Sequence, residues 1–87
     1  MSVAQTIKEK LKRALAPVEL RVIDESARHE GHGGWRPGGE THFRVEIVAA
    51  AFAGKTRVAC HRMVTDLLEE ELSGPVHALA IQTAAPK

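Results

Sequence analysis

Apolar residues recur at helical spacing from the start of the chain. Val3, Ile7, Leu11 and Leu15 return every four residues with Ala14 beside them, which predicts an amphipathic helix. Ser2 followed by Gln5 has capping-box spacing, and Pro17 cannot continue the helix. Lys8, Lys10, Lys12 and Arg13 fall off the apolar stripe and read as a solvated face. The period then changes to two. Val18, Leu20 and Val22 alternate with Glu19 and Arg21, predicting a strand over residues 18–23. The clearest strand is 41–48: Phe43, Val45 and Ile47 point one way, and His42, Arg44 and Glu46 point to solvent. Phe52 and Gly54 mark a turn, and Thr56 is an N-cap for a second helix running to about residue 71. Val64, Leu67, Leu68 and Leu72 form its apolar face, extended backward by Val58. Ser73-Gly74-Pro75 breaks that helix, residues 76–83 read as a last strand, and 83–87 as a flexible tail. The order is helix, strand, strand, helix, a short extra turn near Glu71, strand. Two helices on one face of a three-stranded sheet would bury every stripe, an α+β architecture.

Between the first two strands, residues 24–39 hold five of the seven glycines together with Pro37, Trp35, His29 and His32. Such a run propagates no regular element.

Composition narrows the function. The 87 residues suffice for one domain, 1–87, and the 3% aromatic content leaves a mainly aliphatic core. Twelve basic and eleven acidic residues give a net charge of +1, unlike the basic excess of proteins held to nucleic acid by charge. A single cysteine, Cys60, excludes an internal disulfide. No apolar run approaches the roughly 20 residues of a membrane span, and the first residues lack the apolar core of a secretory signal. A cytoplasmic location with no membrane partner is the expectation.

The five histidines are the main chemical signal. His29 and His32 in the glycine-rich segment suit a ligand awaiting a partner, or are simply solvated. His77, after Gly74-Pro75 at a strand start, suits a fixed ligand, or a half-buried histidine bonded to backbone. His61 falls on the apolar edge of the second helix and reads as a satisfied core histidine. Closed metal motifs are missing: there is no CxxC pair and no HExxH, so imidazoles from distant segments would need another molecule to complete a site. Catalysis by the chain alone has no support. Cys60 and His61 are helical neighbours that diverge by about 100°, so they cannot pair, and no carboxylate or nucleophile–base pair stands out. Glu69-Glu70-Glu71, at the end of the long helix, reads as a solvated acidic surface or a face for a partner. Gly31-His32-Gly33-Gly34 matches the GxxG clamp of KH domains, but lies between strands rather than helices. Lys55, Arg57 and Arg62 give the second helix a basic start able to touch phosphates.

Several linked segments resemble the BolA family: Phe52-Ala-Gly-Lys-Thr-Arg-Val-Ala-Cys-His-Arg-Met-Val64, Leu68-Glu-Glu-Glu-Leu72, Gly74-Pro-Val-His-Ala-Leu-Ala80, and upstream Asp24-Glu-Ser-Ala-Arg-His29 and Gly39-Glu-Thr-His-Phe-Arg-Val45. The resemblance implies a KH-like fold of the second type, α-β-β-α-(short α)-β with a three-stranded mixed sheet and no functional GxxG. It also implies a monothiol glutaredoxin partner and a [2Fe–2S] cluster shared with it and its glutathione, not bound tightly by the chain alone. The family's histidine at the last strand falls on His77 and its loop ligand on His29. His32 competes for the loop role, because the segment after His29 is longer than in some members. Cys60 stands where the family often has arginine. Some members are described as transcriptional regulators, so the alternative function is DNA binding through the second helix, at Lys55, Arg57 and Arg62.

Overall fold

The computed structural model describes residues 2–26 and 41–87. Helix α1 spans Val3–Leu15, strand β1 Glu19–Asp24 and strand β2 His42–Val48. A 3-10 turn at Ala50–Phe52 leads into helix α2, Arg57–Leu67, then helix α3, Glu69–Ser73, and strand β3, Ala78–Ala84. The α+β order expected from the pattern is the order found.

Each boundary has a local cause. The Ser2 hydroxyl accepts from the Gln5 N–H at 3.1 Å, satisfying one of the free donors at the start of α1. Ala16 ends α1 in the left-handed region with φ 43°, and Pro17 after it disfavours helical backbone. Thr56 caps α2 by accepting from the Ala59 N–H at 3.1 Å. Gly54 takes φ 73° in the turn before it, where a side chain would be strained.

The sheet order is β1-β2-β3, with β1 and β2 antiparallel and β2 and β3 parallel. Register sorts the faces. Val22, Val45 and Ile81 share one row and Leu20, Ile47 and Thr83 the next, both under the helices. Ile7 and Leu11 of α1 and Cys60, Val64 and Leu68 around α2 close the core over Phe43, Val45 and Ile47. The opposite face carries Arg21, Arg44 and Glu46, with Arg21 bonded to Glu46 at 3.0 Å and Arg44 to Glu25 at 3.1 Å.

Several expectations change. The second helix breaks at Leu68, whose backbone (φ −105°, ψ 20°) leaves helical geometry while its side chain stays fully buried. Glu69, Glu70 and Glu71 therefore open α3 instead of closing a long helix, where acidic groups suit the dipole better. Glu71 is not solvated: it is buried and bonded to Lys10 at 2.9 Å, so Lys10 also leaves the solvated face assigned to it. Val58 is 66% exposed, because it sits about 200° around the helix from buried Cys60. Val18 is 63% exposed and precedes β1, contributing only a backbone N–H to Val48. At the far end, β3 runs through Ala84, taking in residues 83 and 84 of the expected tail.

Candidate functional site: a histidine pair at the sheet end

The chain leaves α3 through Gly74 and Pro75 and is anchored again at Val76, which is buried and donates its N–H to the Glu71 carbonyl at 2.9 Å. His77 follows, and its own N–H donates to the Thr41 carbonyl at 2.7 Å. Ala78 donates to the same carbonyl at 3.2 Å and opens β3. The His77 backbone is thus fixed on both sides while its side chain is exposed. A backbone so held would let the imidazole serve as a fixed ligand.

The imidazole of His42 lies beside it, with ring centroids 5.3 Å apart and planes tilted by 53°. His42 is 4% exposed, which corrects its assignment to solvent. The strand alternation is right, since His42 shares the open face with Arg44. At the sheet end, however, the His77 ring lies against it, just before β3. Behind His42 lies a buried hydroxyl chain. Its Nδ1 is 2.9 Å from the Thr41 hydroxyl, which is 3.3 Å from the Ser26 hydroxyl. The Ser26 oxygen accepts from the backbone N–H groups of Thr41 at 2.9 Å and His42 at 3.1 Å. Ser26 is placed in turn by the Asp24 carboxylate, which accepts its N–H at 2.9 Å. Ser26 and Thr41, each 1% exposed, hold the ends of β1 and β2 together directly behind the two imidazoles. Sequence reasoning missed both. The available signal was their position: a hydroxyl residue at each side of the glycine-rich segment, one of them two residues after an aspartate.

A groove of about 450 Å³ opens beside the pair, lined by Glu25, His42, Arg44, Ala78 and Ala80. The Glu25–Arg44 ion pair balances charge along it. His29 and His32 lie outside the described residues, as does the Gly31–Gly34 tetrapeptide. Among the described residues no three His, Cys, Asp or Glu side chains converge as a metal site. The pair can offer an imidazole but cannot close a coordination sphere.

The remaining candidates sit elsewhere. Cys60 is buried, its thiol directed at the Phe52 carbonyl at 3.8 Å, a packing role. His61 is half-buried at the rim of α2 next to β3, not within the core. Lys55, Arg57 and Arg62 are exposed at the start of α2 and form no ion pair with any described residue. No helix among the described residues is long and apolar enough to cross a membrane.

This order of elements, with the Gly-Pro-Val-His turn delivering a histidine to the last strand, is matched by a family model described as BolA-like protein over residues 11–87. The chain belongs to the BolA family. Among its BolA relatives, the DNA-binding transcriptional regulator BolA of Escherichia coli K12 is 45% identical over 83 residues, covering 95% of this chain and 75% of that one. An uncharacterized Sinorhizobium protein named for the cobS 5' region is 52% identical over 87 residues, covering 99% of this chain and 94% of the relative. The solved BolA domain of SufE1 from Arabidopsis thaliana superposes with a TM-score of 0.88 at 46% identity, covering 99% and 94% of the two chains. Longer BolA relatives exist: the chain spans 53% of one from Arabidopsis thaliana and 58% of one from Homo sapiens.

Proposed function

We propose that this BolA protein is a non-enzymatic adaptor that shares a [2Fe–2S] cluster with a monothiol glutaredoxin, in cluster assembly and trafficking or in iron and redox sensing. One observation carries the reading: His77 presents an exposed imidazole on a backbone fixed by Val76 and by the Thr41 carbonyl. The donor set suits a shared group. The described residues supply imidazole but no closed site, so the remaining ligands come from a second molecule, the cysteine and glutathione of the glutaredoxin. From this chain His77 would be the fixed ligand and His29 the loop ligand, with His32 as its competitor. His29 follows Ser26 by three residues in the sequence, and Ser26 is tied to Thr41, whose carbonyl binds the His77 N–H. When bound, histidine ligation raises the potential of such a cluster above that of an all-cysteine one. His42, buried against His77, orients the neighbouring ring.

The test is visible circular dichroism and electron paramagnetic resonance of the reconstituted heterocomplex. His77→Ala abolishes the histidine-ligated spectrum, His29→Ala alters it, and His32→Ala has a milder effect. Unchanged spectra for His77→Ala would end the shared-site reading.

A second reading, DNA binding through Lys55, Arg57 and Arg62, is favoured by the absence of ion-pair partners for these three cations among the described residues and by the E. coli relative's name. Such binding is weak and governed by salt, because so few charges meet phosphate.

A further inference from the structure

The two edges of the sheet differ. Strand β1, at one edge, has the sequence ELRVID and carries Glu19, Arg21 and Asp24. Such charges discourage a foreign strand from pairing. Strand β3, at the other edge, reads ALAIQTA, with no charge and no proline over seven residues.

Its hydrogen-bonding groups can be assigned from the ladder. In a parallel pair each residue turns its N–H and C=O to the same side. The Ala84 carbonyl accepts from the Ala49 N–H at 3.0 Å, and the Ala78 N–H donates to the Thr41 carbonyl at 3.2 Å. Ala78, Ala80, Gln82 and Ala84 therefore face β2. Leu79, Ile81 and Thr83 turn their backbone groups outward, where no described element pairs with them. A trough of about 340 Å³ runs along this edge, walled by Arg57 and His61 of α2 on one side and by Ile81 and Thr83 on the other. Arg57 and His61 are one helical turn apart, and Lys55 stands just before them. None of the three has an ion-pair partner among the described residues.

We propose that the outer edge of β3 is a strand-addition site for an extended, carboxylate-bearing segment of a partner protein. The row of outward N–H and C=O groups takes the main chain of an added strand, and the adjoining cations take its acidic side chains. A second copy of this chain fits poorly. Its own β3 has no carboxylate, and pairing would bring the uncompensated Lys55 and Arg57 of both copies toward one interface. Duplex DNA fits the cations but not the edge, since phosphates accept from N–H groups and cannot donate to the outward carbonyls of Leu79 and Ile81. The site is separate from the His77 imidazole and does not depend on cluster binding.

The experiment uses the full chain and three capped peptides matching β3 in length. The first alternates valine and threonine with glutamates, the second has lysine for each glutamate, and the third is the first with every amide N-methylated. Binding is followed by fluorescence anisotropy and by residue-resolved amide exchange. The expected result is that the glutamate peptide binds and slows exchange at Leu79, Ile81 and Thr83, leaving Ala80 and Gln82, already paired to β2, unchanged. The lysine and N-methylated peptides do neither. Arg57→Glu weakens the glutamate peptide by roughly three- to tenfold. Thr83→Pro, which removes an outward N–H without touching the β2 ladder, abolishes binding. The proposal is overturned if the glutamate peptide leaves the three edge amides unprotected, or if the lysine or N-methylated peptide protects them equally. It is also overturned if duplex DNA alone protects them, or if protection arises without peptide as protein concentration rises, which would make a second copy the occupant.

Discussion

At the residue scale, the histidine site rests on a hydroxyl. The Ser26 oxygen serves two backbone donors and faces the Thr41 hydroxyl, all out of reach of solvent. Ser26→Ala leaves the Thr41 and His42 N–H groups buried without an acceptor. That costs about 1–3 kcal/mol and frees the end of β2. The expected outcome is a lower urea midpoint together with faster exchange at the amides of Thr41, His42 and His77. A stability loss without the local exchange change would mean that Ser26 does not hold the site. The signal for His77 was legible because a rigid Gly-Pro turn before a strand start is a local feature. His42 was misread because its neighbours across space, the start of β3 and Ser26, are far from it in sequence.

At the element scale, α1 and α3 are joined by an ion pair that no periodicity displays. The Lys10 amine lies 2.9 Å from the Glu71 carboxylate and 3.7 Å from that of Glu70. The hydrogen bond to Glu71 raises the Lys10 pKa above its ordinary 10.5; desolvation opposes it, and the charges of Glu71 and Glu70 add to it. A lysine held more basic in the folded chain stabilises it fully below its unfolded value, and the benefit fades as pH rises through the folded value. The predicted result is that Glu71→Gln lowers the urea midpoint at neutral pH, and that the gap from the unsubstituted chain closes above about pH 10.5. A gap that persists undiminished in strong alkali would assign Glu71 a packing role only. The same element shows why the acidic run was misplaced. Its sequence looks like a solvated helix end, and only the break at Leu68 and the arrival of α1 turn Glu71 inward.

At the scale of the whole molecule, one central strand carries the fold. Phe43, Val45 and Ile47 are buried under both helices, and β2 pairs on both sides. Ile47→Asp places an unpaired carboxylate at a position 1% exposed and is expected to unfold the domain. Circular dichroism melting checks this, and an unchanged melting temperature would contradict the face assignment. Charge is the other global property. With a net charge of +1, binding to duplex DNA is expected to depend on Lys55, Arg57 and Arg62 alone. The slope of log affinity against log salt would then be no steeper than about −3. Reversing those three charges abolishes binding in a gel-shift titration, and binding that survives the reversal would send the contact elsewhere.

The sequence by itself determined the elements, their order and the faces of β1, β2 and α1, because periods of two and of nearly four record which side of a local backbone meets the core. It also marked His77, Lys55, Arg57 and Arg62 as candidates, whose positions follow from local turns and caps. The tertiary structure alone decided that His42 is buried against His77, that Ser26 and Thr41 lock the strand ends, and that Glu71 pairs with Lys10. It also decided that β3 ends the sheet with an uncharged edge beside Lys55 and Arg57. Each of these joins residues distant along the chain, and such contacts depend on how the sheet and helices assemble, which no local pattern encodes.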